Sequence, residues 1–75
     1  MNNKRRKCIK LIVGRLKDVL VELEEIHTEE QESFENIPEN LMNSERYQQS
    51  ETAVDTLDDV KSSIEDHISE LEEII

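Results

Sequence analysis

The sequence predicts an all-α protein: an antiparallel, coiled-coil-like two-helix hairpin that pairs with a second copy as a four-helix bundle. Three observations predict it. Gly and Pro occur once each in 75 residues, so almost nothing interrupts a helix. Apolar residues recur at alternating steps of three and four through both halves, which places them on one helical stripe. That recurrence fails in one place, around Pro38, where the chain can turn. A β-sandwich or barrel needs strands rich in aromatic residues and divided by Gly and Pro turns; here the aromatics are Phe34 and Tyr47 alone. A chain of this length forms one domain, residues 1–75, with little core of its own.

The first helix is expected over about residues 4–34. Ile9, Ile12, Leu16, Val19, Leu23 and Ile26 form a heptad seam, with Ile9, Leu16 and Leu23 at position a and Ile12, Val19 and Ile26 at d. A further row at e holds Val13, Leu20, His27 and Phe34, so the apolar face is wider than a two-stranded seam requires. Gly14 falls at the outward position f, where it costs about 1 kcal/mol relative to Ala.

The connection is expected over about residues 35–43. Pro38 lacks a backbone donor and restricts Ile37, so the first helix ends before it. Asn36 and Glu39 have capping-box spacing, which predicts a short helical turn inside the loop, and Ser44 is a candidate N-cap for the next helix. The second helix follows over about 44–75, with Ser50, Leu57, Ile64 and Leu71 at a, Ala53, Val60, His67 and Ile74 at d, and Tyr47, Val54, Lys61, Ile68 and Ile75 at e. So short a connection folds the helices antiparallel.

In such a hairpin, facing residues have numbers that add to a constant. A sum of 80 sets Ile9 against Leu71, Leu16 against Ile64 and Leu23 against Leu57; a sum of 79 sets Val19 against Val60, Ile26 against Ala53 and Ile12 against His67. The a and d rows are therefore expected to meet inside the hairpin. The e rows would then stay wet, and each apolar side chain there forfeits ~1.5–3 kcal/mol. Val13, Leu20, Phe34, Tyr47, Val54 and Ile68 are accordingly the expected interface of a homodimer. A different protein covering the same face is the alternative.

Charge is divided along the chain. Residues 1–17 carry only positive charge, +7 in all, whereas residues 18–75 hold all nineteen acids with Arg46 and Lys61, a net −17. The antiparallel register sets the basic segment beside Glu65, Asp66, Glu70, Glu72 and Glu73, so much of this division is expected to be internal pairing. The start resembles a signal peptide, but Lys10 breaks its apolar run and no small-residue cleavage site follows, which predicts a cytoplasmic protein. No window approaches the ~18–20 apolar residues that span a bilayer.

Catalytic constellations are not legible. Glu24 and His27 have Glu-x-x-His spacing, yet Glu24 lies on the solvent side and His67 follows Ile64, so no second copy completes a metal site. The expected cofactor and metal content is none. Cys8 stands among basic residues, a setting associated with reactive thiols, but without a nearby His or Asp it reads as a small, half-buried hydrophobe at the seam's edge. His67, expected opposite Ile12, reads as a partly buried structural histidine. Lys4, Arg5, Arg6, Lys7 and Lys10 can contact phosphates, though no aromatic accompanies them to stack bases; direct nucleic-acid binding is the less favoured reading. Fourteen carboxylates in residues 18–61 can present a phosphate-like field to a nucleic-acid-binding protein; the plainer reading is a charged surface that keeps a bundle dissolved.

The loop Glu35-Asn36-Ile37-Pro38-Glu39-Asn40-Leu41, the following Ser44-Glu45-Arg46-Tyr47 and the acidic helix beginning at Ala53-x-x-x-Leu57 resemble a group of small hypothetical proteins encoded by phages and prophages of Gram-positive bacteria. The likeness spans nearly the whole chain, and the loop is its distinctive part; relatives with a Gly after the loop proline differ from Pro38-Glu39-Asn40 here. The resemblance implies a mobile-element protein in a bacterial cytoplasm. On that footing the chain is expected to be no enzyme but an interaction protein that binds and modulates, by inhibition, a host or defence protein such as a nucleic-acid enzyme. Asn36, Pro38, Glu39, Asn40, Glu45, Arg46 and Tyr47 are the expected partner-binding residues. The alternatives are a structural assembly module that uses the apolar seam alone, and a nucleic-acid accessory that uses the basic arm.

Overall fold

The computed structural model describes residues 1–75 and contains two long helices, α1 (Asn3–Glu35) and α2 (Glu45–Glu73), joined through a 3-10 turn at Glu39–Leu41. They pack against each other as a rod of 59 × 15 × 13 Å. Each helix start is capped by the side chain the sequence supplies. The Asn2 Oδ1 accepts from the Arg5 N–H at 2.9 Å, and the Ser44 Oγ accepts from the Tyr47 N–H at 3.2 Å while donating to the Leu41 carbonyl at 2.6 Å. Such a cap is worth about 1 kcal/mol, because it satisfies an amide that no helical carbonyl reaches.

The end of α1 differs in detail from the capping-box expectation. Asn36 is the C-cap of α1, its N–H bonded back to Glu32, and Pro38 leads the 3-10 turn without a side-chain hydrogen bond. Pro38 stands at φ −58° and ψ 146°, an extended conformation that turns the chain out of the helical path. The whole reversal uses ordinary backbone: the chain has no cis peptide and no positive φ.

The stripe turned inward is not the expected one. Only Val13, Val54 and Ile68 are buried, at 5%, 9% and 4% exposure, and all three belong to the e row. The a-row residues Ile9, Leu16, Leu23, Leu57, Ile64 and Leu71 lie half-buried beside them, as do Leu20, Phe34 and Tyr47. The d-row residues Ile12, Val19, Ile26, Val60 and Ile74 remain 40–51% exposed. The expected pairing of a with a and d with d inside the hairpin is therefore corrected to a seam of a with e, and Val13, Leu20, Phe34, Tyr47, Val54 and Ile68 line the monomer's own seam rather than a dimer interface. The physical reason is periodic. From a to e is four residues and from e to the next a is three, so the a/e stripe follows a helix as well as a/d does. The two aromatic rings select between them: Phe34 and Tyr47, on either side of the turn, meet with ring centroids 4.8 Å apart and planes tilted by 36°. That contact adds ~0.5–1.5 kcal/mol beyond simple burial and holds the e rows face to face where the helices join.

Gly14 lies exposed on the outer side, where an added Cβ meets no atom within 4 Å. Gly14→Ala is expected to stabilise the hairpin by about 1 kcal/mol, a rise of roughly 5 °C in a thermal melt followed by circular dichroism. An unchanged or lower melting temperature would show that this turn of α1 is covered in solution.

Candidate interaction surfaces

The two flanks of the rod differ. On one flank Lys17 Nζ meets Glu72 Oε2 at 3.5 Å. Both residues are at position b, so this contact places the b rows of the two helices together on one side of the seam. That flank carries Lys10, Lys17 and Glu24 on α1 and Glu51, Asp58, Glu65 and Glu72 on α2. The d rows lie across the seam from the b rows on each helix and therefore share the other flank. Ile12, Val19, Ile26, Val60 and Ile74 leave exposed apolar side chains along it, interrupted on α2 by the exposed His67 and bounded by the exposed Arg5 and Arg46, which continue the same row toward the ends. Isolated apolar residues on a surface are ordinary; five in register on one flank are a candidate interface.

Ion pairing between the helices is sparser than the charge pattern predicts. Of the basic residues in 1–17 only Lys17 comes within ion-pair distance of a carboxylate, and with both partners about half exposed that pair contributes at most ~1 kcal/mol. Arg6 donates instead to Asn3 Oδ1 at 3.1 Å. The basic and acidic segments share one end of the rod without being locked together.

The loop residues separate into groups. Asn36, Pro38 and Arg46 line a concavity of about 380 Å³ together with Ser33, Ile37, Leu41 and Ser44. Arg46 makes no ion pair, so its guanidinium is available to an incoming carboxylate or phosphate in a hollow that Ile37 and Leu41 also line. Glu39 and Asn40 are exposed outside this hollow. Glu45 faces a shallower depression with Gln48, Gln49 and Thr52 and accepts from Gln49 Nε2 at 3.2 Å. Tyr47 is occupied against Phe34 in the seam. Ser33, Ile37, Leu41 and Ser44 are not among the residues expected to bind a partner; the signal for Ile37 and Leu41 was two branched apolar side chains within an otherwise polar loop.

The remaining singled-out residues take plain positions. Cys8 is exposed, not tucked at the edge of the seam, because the row it occupies turns outward once the seam is a with e. His67 is likewise exposed rather than packed on Ile12, with its Nδ1 3.4 Å from Glu70 Oε1. His27 is half-buried in the seam while Glu24 faces solvent, so the Glu-x-x-His pair does not converge. No group of three or more His, Cys, Asp or Glu side chains is placed to hold a metal ion. Neither helix is long and apolar enough to cross a membrane. Comparison with protein-family models, curated proteins and solved structures finds no match.

Proposed function

We propose that this chain is a non-enzymatic interaction protein of a phage or prophage, dimeric through its apolar flank, that binds and inhibits a nucleic-acid enzyme of the bacterial host through its acidic surface and loop. The observation that carries the reading is the two-sided rod: apolar side chains along one flank, mostly carboxylates along the other with Lys10 and Lys17 near the open end, and at the tip a hollow with a single unpaired arginine. Such a surface recognises by shape and charge. The loop's likeness to phage-encoded proteins supplies the setting, and fourteen carboxylates, thirteen on the two helices and Glu39 in the turn, supply the resemblance to a phosphate backbone.

The test is capture of nucleic-acid enzymes from a Gram-positive lysate at ~50 and ~300 mM salt, followed by assay of the captured enzyme with added protein, since salt screens charge-driven contacts and spares apolar ones. A nuclease or polymerase retained at low salt, lost at high salt and inhibited by the purified protein is the expected result. The triple variant Asn36→Ala, Glu39→Ala, Arg46→Ala is expected to lose that capture by tenfold or more with unchanged helicity, about the loss of one charge-assisted contact. Capture that survives high salt and consists of phage structural proteins would favour an assembly module built on the apolar strip. Salt-sensitive binding of the protein itself to DNA, abolished by deleting residues 1–7, would favour the basic-arm reading.

A further inference from the structure

The rod exposes more surface than a monomer of its mass ordinarily does, and the excess is of the size a dimer covers. Its accessible surface is 5842 Å², against about 4,800 Å² expected for a folded chain of this mass. The difference, roughly 1,000 Å², compares with the ~800 Å² per partner of a standard stable interface. The strip available to cover it is central. Val19 is the middle residue of α1, with Ile12 and Ile26 one heptad to either side, and Val60 lies next to the middle of α2. Ile12, Val19, Ile26 and Val60 are centred on the rod, so a second rod can cover these four in either direction, whereas Ile74 at the open end lies outside that overlap when the rods run oppositely.

Charge decides the direction. The open end, residues 1–17 with 62–75, nets +2; the tip, residues 27–57, holds eight carboxylates and Arg46, a net −7. Two rods lying the same way place −7 against −7 and +2 against +2. Two rods lying opposite ways place +2 against −7 at both ends. Facing like charges oppose association and unlike charges favour it, within the ~10 Å over which salt leaves them effective.

We propose that two copies of this chain pack flank to flank, through Ile12, Val19, Ile26 and Val60, in opposite directions about a two-fold axis near Val19. This rests on the dimer of the proposed function and adds its orientation. Its consequence is that the two loop hollows point away from each other at opposite ends of a rod some 60 Å long, so the dimer engages two partner molecules at once and cannot clamp one between its loops.

The single cysteine allows a direct measurement. Cys8 is exposed and lies eleven residues from the proposed axis, so spin labels on the two copies stand roughly 35 Å apart if the rods run oppositely, and under about 20 Å apart if they run together. Double electron–electron resonance on the labelled full-length protein, with its mass checked by light scattering, is expected to give a single peak near the longer distance. A peak below about 20 Å, or no defined long-range peak, in a protein of dimeric mass overturns the orientation and leaves the dimer standing. A monomeric mass with no dipolar signal overturns both.

Discussion

Ile68→Ala is expected to destabilise the hairpin by about 2–5 kcal/mol, the usual range for removing a fully packed isoleucine. Ile68 is the most buried side chain of the molecule at 4% exposure and shares that status only with Val13 and Val54. A chain of this length has a folding stability of about 4–11 kcal/mol, so the loss removes a large fraction of it. Far-UV circular dichroism should show the melting midpoint falling by 10 °C or more, or the cooperative transition disappearing. Leu11→Ala serves as the control: Leu11 is 65% exposed, and its truncation should change stability by no more than about 0.5 kcal/mol. If Ile68→Ala melted like the parent protein while Ile12→Ala unfolded it, the seam would be formed by a with d, and the a/e packing would be wrong.

Val19→Glu is expected to abolish the dimer while sparing the hairpin. Val19 is 42% exposed and outside the buried e row, so a carboxylate there can stay hydrated in the isolated chain. In the proposed dimer the change occurs twice, once in each copy near the axis. With 42% of each valine left to cover, losing that burial amounts to ~1–2.5 kcal/mol, about one to two orders of magnitude, to which burying each carboxylate adds its desolvation cost. Light scattering at micromolar concentration should fall from twice the chain mass to 8.8 kDa, with the α-helical spectrum retained at low temperature. A variant that stayed dimeric would move the interface off this flank, and a parent protein already at 8.8 kDa would remove the dimer.

The two helices and the turn were legible because their causes are local. Ser44 caps α2 with its own hydroxyl, Pro38 ends the helical path before it, and the three- and four-residue steps of Ile9 to Ile26 need no tertiary information. The facing of the helices was not legible in the same way. Rows a, d and e are all apolar, and two overlapping stripes drawn from them, a/d and a/e, have the same average period. Which stripe meets the partner helix is settled by bulk at the ends: Phe34 and Tyr47 sit in e, whereas d offers Ser33 and Ala53 near the turn. The positions of His67 and Cys8 follow from that choice, and both turned outward with it. At the loop, the sequence marked Asn36, Pro38 and Arg46, which come together around one hollow. Tyr47, expected as a binding residue from its place in the segment that follows the loop, instead has its ring held by Phe34 at 4.8 Å.

The reversal between α1 and α2 is built from right-handed and extended conformations alone, and the chain's sole glycine lies elsewhere, in the middle of a helix. A turn that depends on a left-handed glycine is frozen at that residue, because any side chain there strains the backbone. No position in this tip is held by such a requirement; Pro38 is held instead by its fixed φ and Ser44 by its capping hydroxyl. Asn36, Glu39, Asn40 and Arg46 can be exchanged one at a time with little loss of fold, while the helices behind them stay as they are. The tip is thus free to diversify, and a protein whose target changes can follow it by altering a few exposed side chains on an unchanged rod.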